Sequence, residues 1–66
     1  MPIVTLQIWE GHTVERKRAI VEGFTRVLQE VADIPPSAVH VVIQDVPRTN
    51  WGANGQLASD NAAGAE

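Results

Sequence analysis

Val39-His40-Val41-Val42-Ile43-Gln44-Asp45-Val46 is the stretch that decides the fold. Its apolar, β-branched content predicts a strand over 39–46, and apolar residues on both faces suit a strand buried in a parallel sheet. A parallel partner needs a crossover, so the residues before it must supply a helix and another strand. They do. Working back, Asp33, Pro35 and Pro36 mark a helix end, because proline cannot continue a helix and restricts the residue before it. Ile20, Phe24, Val27, Leu28 and Val31 then recur at helical spacing, which predicts a helix over 14–32. Thr13 reads as its N-cap, with Glu15 in the first turn, where the helix dipole favours an acid. Before that, Ile3-Val4-Thr5-Leu6-Gln7-Ile8-Trp9 alternates with period two, Val4, Leu6 and Ile8 on one face and Ile3, Thr5, Gln7 and Trp9 on the other. Strand, helix, strand is a β-α-β unit with a right-handed crossover.

Working forward, Pro47-Arg48-Thr49-Asn50 reads as a turn, and Trp51 to Leu57 contains Asn54-Gly55, a strong hairpin signal. The fold class expected is α+β: a β-α-β subunit with a short C-terminal hairpin. One domain over 1–60 is expected, with a flexible tail over 61–66 that takes its Ala, Asn, Asp and Gly character from Ser59 onward.

The 66 residues carry 44% hydrophobic and 20% charged side chains and a formal net charge of −3. These figures exclude a disordered polyelectrolyte, and no apolar run approaches the roughly 20 residues that span a bilayer. The N-terminus does not read as a signal peptide, so a cytoplasmic location is expected and no membrane partner. The acidic balance disfavours nucleic acid, and Arg16-Lys17-Arg18 fans around a helix as a solvated cluster. Without cysteine there is no disulfide and no thiolate metal site, and His12 and His40 match no metal-ligand spacing. A chain this short is marginal alone, and two strands leave open edges, so a homo-oligomer is expected on physical grounds.

Pro2 is the unusual feature. After Met1, a small residue such as proline permits removal of the initiator, which leaves a secondary amine at the chain start. An α-amino group has a reference pKa of roughly 7.7–8.0, and desolvation lowers it further, which suits a general base near neutrality. The competing reading is an ordinary edge-strand start, where a missing N–H is harmless.

Pro2-Ile3-Val4, Glu10-Gly11, the helix, Pro35, Val39, the Val41-Val42-Ile43 run, and Trp51-Gly52 followed by Gly55 and Leu57-Ala58-Ser59 together resemble the 4-oxalocrotonate tautomerase family, across nearly the whole chain. The resemblance implies a hexamer, a trimer of dimers, with no cofactor and no metal. It implies that Pro2 shuttles a proton as base and then acid on an enol or dienol of a 2-keto acid. Trp51 falls where the family has an aromatic wall, and Trp9 at an apolar site-lining position. His12 and His40 fall where well-known members have arginines that hold substrate carboxylates.

That departure carries a consequence. Arginine is always charged and grips a carboxylate with two parallel hydrogen bonds, whereas histidine as a residue type is mostly neutral at pH 7. A dicarboxylate should bind poorly, and a monoacid with an apolar body should suit Trp9 and Trp51 better. Arg48 is either a replacement cation or a solvated turn charge. His12 is either a loop residue or a substrate contact, and His40 either a packed or interface residue or a contact. Two alternatives stay open: a relative with hydratase- or dehalogenase-type chemistry on Pro2, and a non-catalytic oligomeric binding module.

Overall fold

The computed structural model describes residues 1–60. The tail expected over 61–66 lies outside the described residues. Strand β1 spans Ile3–Trp9, helix α1 Val14–Ala32, strand β2 His40–Val46, and a hairpin follows from β3, Gly52–Ala53, and β4, Gln56–Leu57. Short 3-10 turns at Pro36–Ala38, Arg48–Asn50 and Ala58–Asp60 join or close these elements. The expected β-α-β unit and hairpin are present. One boundary differs: β2 begins at His40 because the Val39 N–H closes the preceding turn onto Pro36, and Ala58–Asp60 form a short turn at the end of the expected domain.

The caps set the ends of α1. Thr13 takes an extended conformation and its Oγ1 accepts the Arg16 N–H at 3.2 Å. This satisfies one of the four N–H groups that a helix start leaves without partners. At the other end Asp33 adopts a left-handed φ of 58°, and the Ile34 N–H reaches back to the Leu28 carbonyl at 3.3 Å. The chain then turns through Pro35 and Pro36 into β2.

β1 and β2 pair in parallel, Ile3 opposite His40 through to Trp9 opposite Val46. Hydrogen bonds lengthen the ladder at both ends: the His40 N–H donates to the Pro2 carbonyl at 3.1 Å, and the Glu10 N–H to the Val46 carbonyl at 3.1 Å. Val4, Leu6 and Ile8 of β1 and Val41 and Ile43 of β2 form the half-buried face, and Ile20, Phe24 and Leu28 are the half-buried apolar residues of α1. Lys17 ties the helix to the sheet by an ion pair with Asp45 at 2.7 Å, so the basic cluster is not wholly solvated.

The expected burial of β2 on both faces does not occur within the protomer. On the face away from α1, Ile3 is 65% and Val42 45% exposed. On the same face Gln7 donates to Gln44 at 2.9 Å, its partner in register. The apolar stripe of α1 is likewise only partly covered, with Val27 53% and Val31 82% exposed, because two strands are too narrow to cover so wide a stripe.

Beyond β2, Asn54 and Gly55 both take positive φ, 54° and 76°. That is the geometry of a two-residue type I′ hairpin turn, and its twist matches that of the flanking strands. The Ala58 N–H donates to the Trp51 carbonyl at 2.8 Å and closes the base of the hairpin.

Candidate active site

Pro2 is half-buried at the start of β1. Its carbonyl is fixed by the His40 N–H, so the proline is anchored to the sheet through its own backbone. Met1, one residue before it, is 84% exposed. His40 opens β2 beside Ile3 and is exposed on the uncovered face of the sheet, the face of Val42 and Gln44. Pro2 and His40 therefore occupy the same end of the sheet.

Trp9 closes β1 at the other end and is the most buried side chain of the described residues, at 7% exposure. The Trp51 ring meets it edge to face, with centroids 6.2 Å apart and planes at 84°. This is a favourable arrangement for aromatic quadrupoles. The Arg48 guanidinium carbon lies 4.6 Å from the centroid of the Trp9 ring, a cation–π contact. His12 is half-buried on the loop leaving β1 at this end, between Gly11, whose φ of 109° turns the chain, and the Thr13 cap.

The six residues singled out in the sequence thus form two groups, Pro2 with His40 and Trp9 with Arg48, Trp51 and His12. Seven residue steps along the strand separate Pro2 from Trp9, or about 23 Å at roughly 3.3 Å per residue. One chain does not bring the two groups together. Arg48 is exposed in the Arg48–Asn50 turn, and its guanidinium also lies over the Trp9 ring. Sequence reasoning missed this contact and the Lys17–Asp45 pair. The signal for the contact is the register, since Trp9 faces Val46 and Arg48 follows only two residues later.

Among the described residues there is no cluster of three or more His, Asp or Glu side chains able to hold a metal, and no helix is long and apolar enough to cross a membrane. The groove lined by Val14, Lys17, Arg18, Val21 and Glu22 lies on α1 and includes none of the six candidates.

The chain matches the Tautomerase enzyme family model over residues 2–61. It is 40% identical over 60 residues to 2-hydroxymuconate tautomerase of Comamonas testosteroni, covering 91% of this chain and 95% of that one. It is 37% identical to 2-hydroxymuconate tautomerase of Pseudomonas putida over the same shares. Among solved structures, the 4-oxalocrotonate tautomerase isozymes of Methylibium petroleiphilum provide a match with a TM-score of 0.84 at 40% identity, covering 88% of this chain and 94% of that one. TomN, a 4-oxalocrotonate tautomerase homologue of the tomaymycin biosynthetic pathway, shares the fold at a TM-score of 0.90 and 24% identity. Sequence and fold agree from Pro2 onward, and the chain belongs to the tautomerase family as an isomerase of the 4-oxalocrotonate tautomerase kind.

Proposed function

We propose that the protein is a cofactor-independent keto–enol tautomerase acting on an enol or dienol of a 2-keto acid, with the amine of Pro2 as base and then acid. The observation that carries this reading is the setting of Pro2: a half-buried proline anchored at the start of β1, behind an exposed Met1 whose removal frees a secondary amine. The nitrogen lone pair takes the enol O–H proton. The oxygen electrons form the carbonyl, the C=C pair moves onto carbon, and that carbon takes the proton from the prolinium. The amine is regenerated, and no redox partner is required.

Trp9 and Trp51 form the apolar wall, and His12, His40 or Arg48 orients the carboxylate. The two groups of candidates stand at opposite ends of the sheet, which supports a site built from more than one chain. We place this site in a homohexamer, a trimer of dimers acting in the cytoplasm. Hydratase- or dehalogenase-type chemistry is less well supported, because Asp45, a carboxylate that could activate water, is held by Lys17 at 2.7 Å.

The test is ketonisation of phenylenolpyruvate by protein verified by mass to lack Met1, beside Pro2→Ala. The expected result is a rate well above buffer that falls by about 10² or more in Pro2→Ala, with an unchanged elution volume in gel filtration. Equal rates for the two proteins would overturn the proline mechanism, and a Met1-retaining preparation with full activity would do the same.

A further inference from the structure

We propose that Arg48, whose guanidinium lies over the Trp9 ring, is the carboxylate-binding and specificity-determining residue of this site, and that it selects enol acids with one carboxylate and a flat aromatic body. The inference rests on the tautomerase reading above and names the substrate class of that site.

The geometry separates Arg48 from the other cations. The sequence has five Lys and Arg residues. Lys17 is committed to Asp45, and Arg16, Arg18 and Arg26 lie exposed along α1. Arg48 alone of these has a described aromatic contact, with its guanidinium carbon 4.6 Å from the Trp9 centroid. A guanidinium held over an indole keeps N–H donors for a carboxylate, which it can hold through two parallel hydrogen bonds. A side chain held in this way has also given up much of its rotamer freedom before substrate arrives, so less is lost on binding. Trp9 is the positioning residue, being itself held by burial and by the edge contact with Trp51.

The same cluster sets the shape of the substrate. Arg48 occupies a face of Trp9, so the half-buried Trp51 ring is the surface offered to an incoming apolar body. One guanidinium fork holds one carboxylate. A second carboxylate would lose hydration against indole with no arginine at positions 12 or 40 to receive it.

Equilibrium binding separates this proposal from the proline mechanism. The probe is 3-phenylpropanoate, which has no enol to react, followed by tryptophan fluorescence. We expect wild type and Pro2→Ala to bind it alike. Arg48→Ala should bind it at least tenfold more weakly, and Arg48→Lys should recover little, because an ammonium lacks the planar fork. The neutral amide 3-phenylpropanamide should bind wild type and Arg48→Ala equally, and cis,cis-muconate, a dicarboxylate, should bind wild type at least tenfold more weakly than the monoacid. In turnover of phenylenolpyruvate, the loss in Arg48→Ala should fall on KM. Arg48→Ala that elutes as wild type and binds 3-phenylpropanoate as tightly would overturn the role of Arg48. Muconate binding as tight as the monoacid would overturn the selectivity. If Pro2→Ala proved fully active while Arg48→Ala still lost the carboxylate, the proline mechanism would fall and Arg48 would stand.

Discussion

At the scale of single residues, the positions that distinguish this chain are His12 and His40. The resemblance places arginines there, and on the proposed reading their replacement would take up to two fixed charges and two bidentate forks from the site. Restoring them should move the substrate preference. We expect His12→Arg and His40→Arg, alone or together, to raise kcat/KM for a dicarboxylate dienol relative to phenylenolpyruvate by about tenfold, the scale of one added hydrogen bond to a charged group. Parallel assays on the two substrates check it, and an unchanged ratio would remove both histidines from substrate contact. Of the candidate residues only Pro2 was legible from its local sequence, and Trp9, Trp51, His12 and His40 took their site roles from the resemblance. Pro2 stood out for its place after Met1, where loss of the initiator would leave a secondary amine. The partners of Arg48 and Asp45 were not legible, because each is set by the strand register and not by neighbours in the chain.

At the scale of elements, the ends of α1 are where sequence and geometry agree, with Thr13 as the N-cap and Asp33 as the C-cap. Thr13 was readable as the cap because a short hydroxyl side chain before an apolar periodicity has few better uses. Its bond to the Arg16 N–H shows it in that role. Thr13→Ala should cost about 1 kcal/mol per protomer. A lowered urea midpoint at fixed protein concentration measures it, and no shift would assign the helix start to water or to the rest of the β1–α1 loop. The hairpin was legible for a similar local reason. Asn54 and Gly55 are among the residues that accept two successive positive φ values, and the structure gives them 54° and 76°. The width of the covered stripe on α1 was less legible. Periodicity places Val27 and Val31 with the core residues, yet the two strands below leave both exposed.

At the scale of the whole molecule, the protomer does not have the proportions of a self-sufficient fold. Its radius of gyration is 14.7 Å, whereas a compact chain of this length has about 11 Å. Its accessible surface is 4933 Å², against about 4,100 Å² for a compact monomer of its mass. Trp9 is the one buried hydrophobic side chain of the described residues, while Ile3, Val14, Val21 and Val42 line open faces of the sheet and helix. Folding and assembly are therefore expected to be coupled. Tm should rise with protein concentration, because mass action favours the associated folded state. Calorimetry over a hundredfold dilution series checks this, and a constant Tm across it would mean that the protomer is stable alone. The same coupling bears on the site. Mixed oligomers of Pro2→Ala and Trp51→Ala, refolded together, should recover activity that neither has alone if one chain gives the proline and another the aromatic wall. Equal inactivity in the mixture would place both groups of one site in a single chain.

What the sequence determined by itself is what depends on near neighbours. Strand alternation, helical periodicity, the Thr13 cap, the Asp33-to-Pro36 stop and the Asn54-Gly55 turn all act within a few residues, where side-chain size and backbone preference decide the conformation. The parallel pairing also followed, since two strands joined by a long helix have few other ways to meet. What only the tertiary structure decided is what depends on register and coverage. These are the cation–π contact of Arg48 with Trp9, the commitment of Asp45 to Lys17, the open outer face of β2, and the division of the candidate residues between the two ends of the sheet. None of these is encoded at any one position. Each arises when two strands are fixed at a definite offset, one helix covers a single face of them, and the two strands are too narrow for the helix's own apolar stripe.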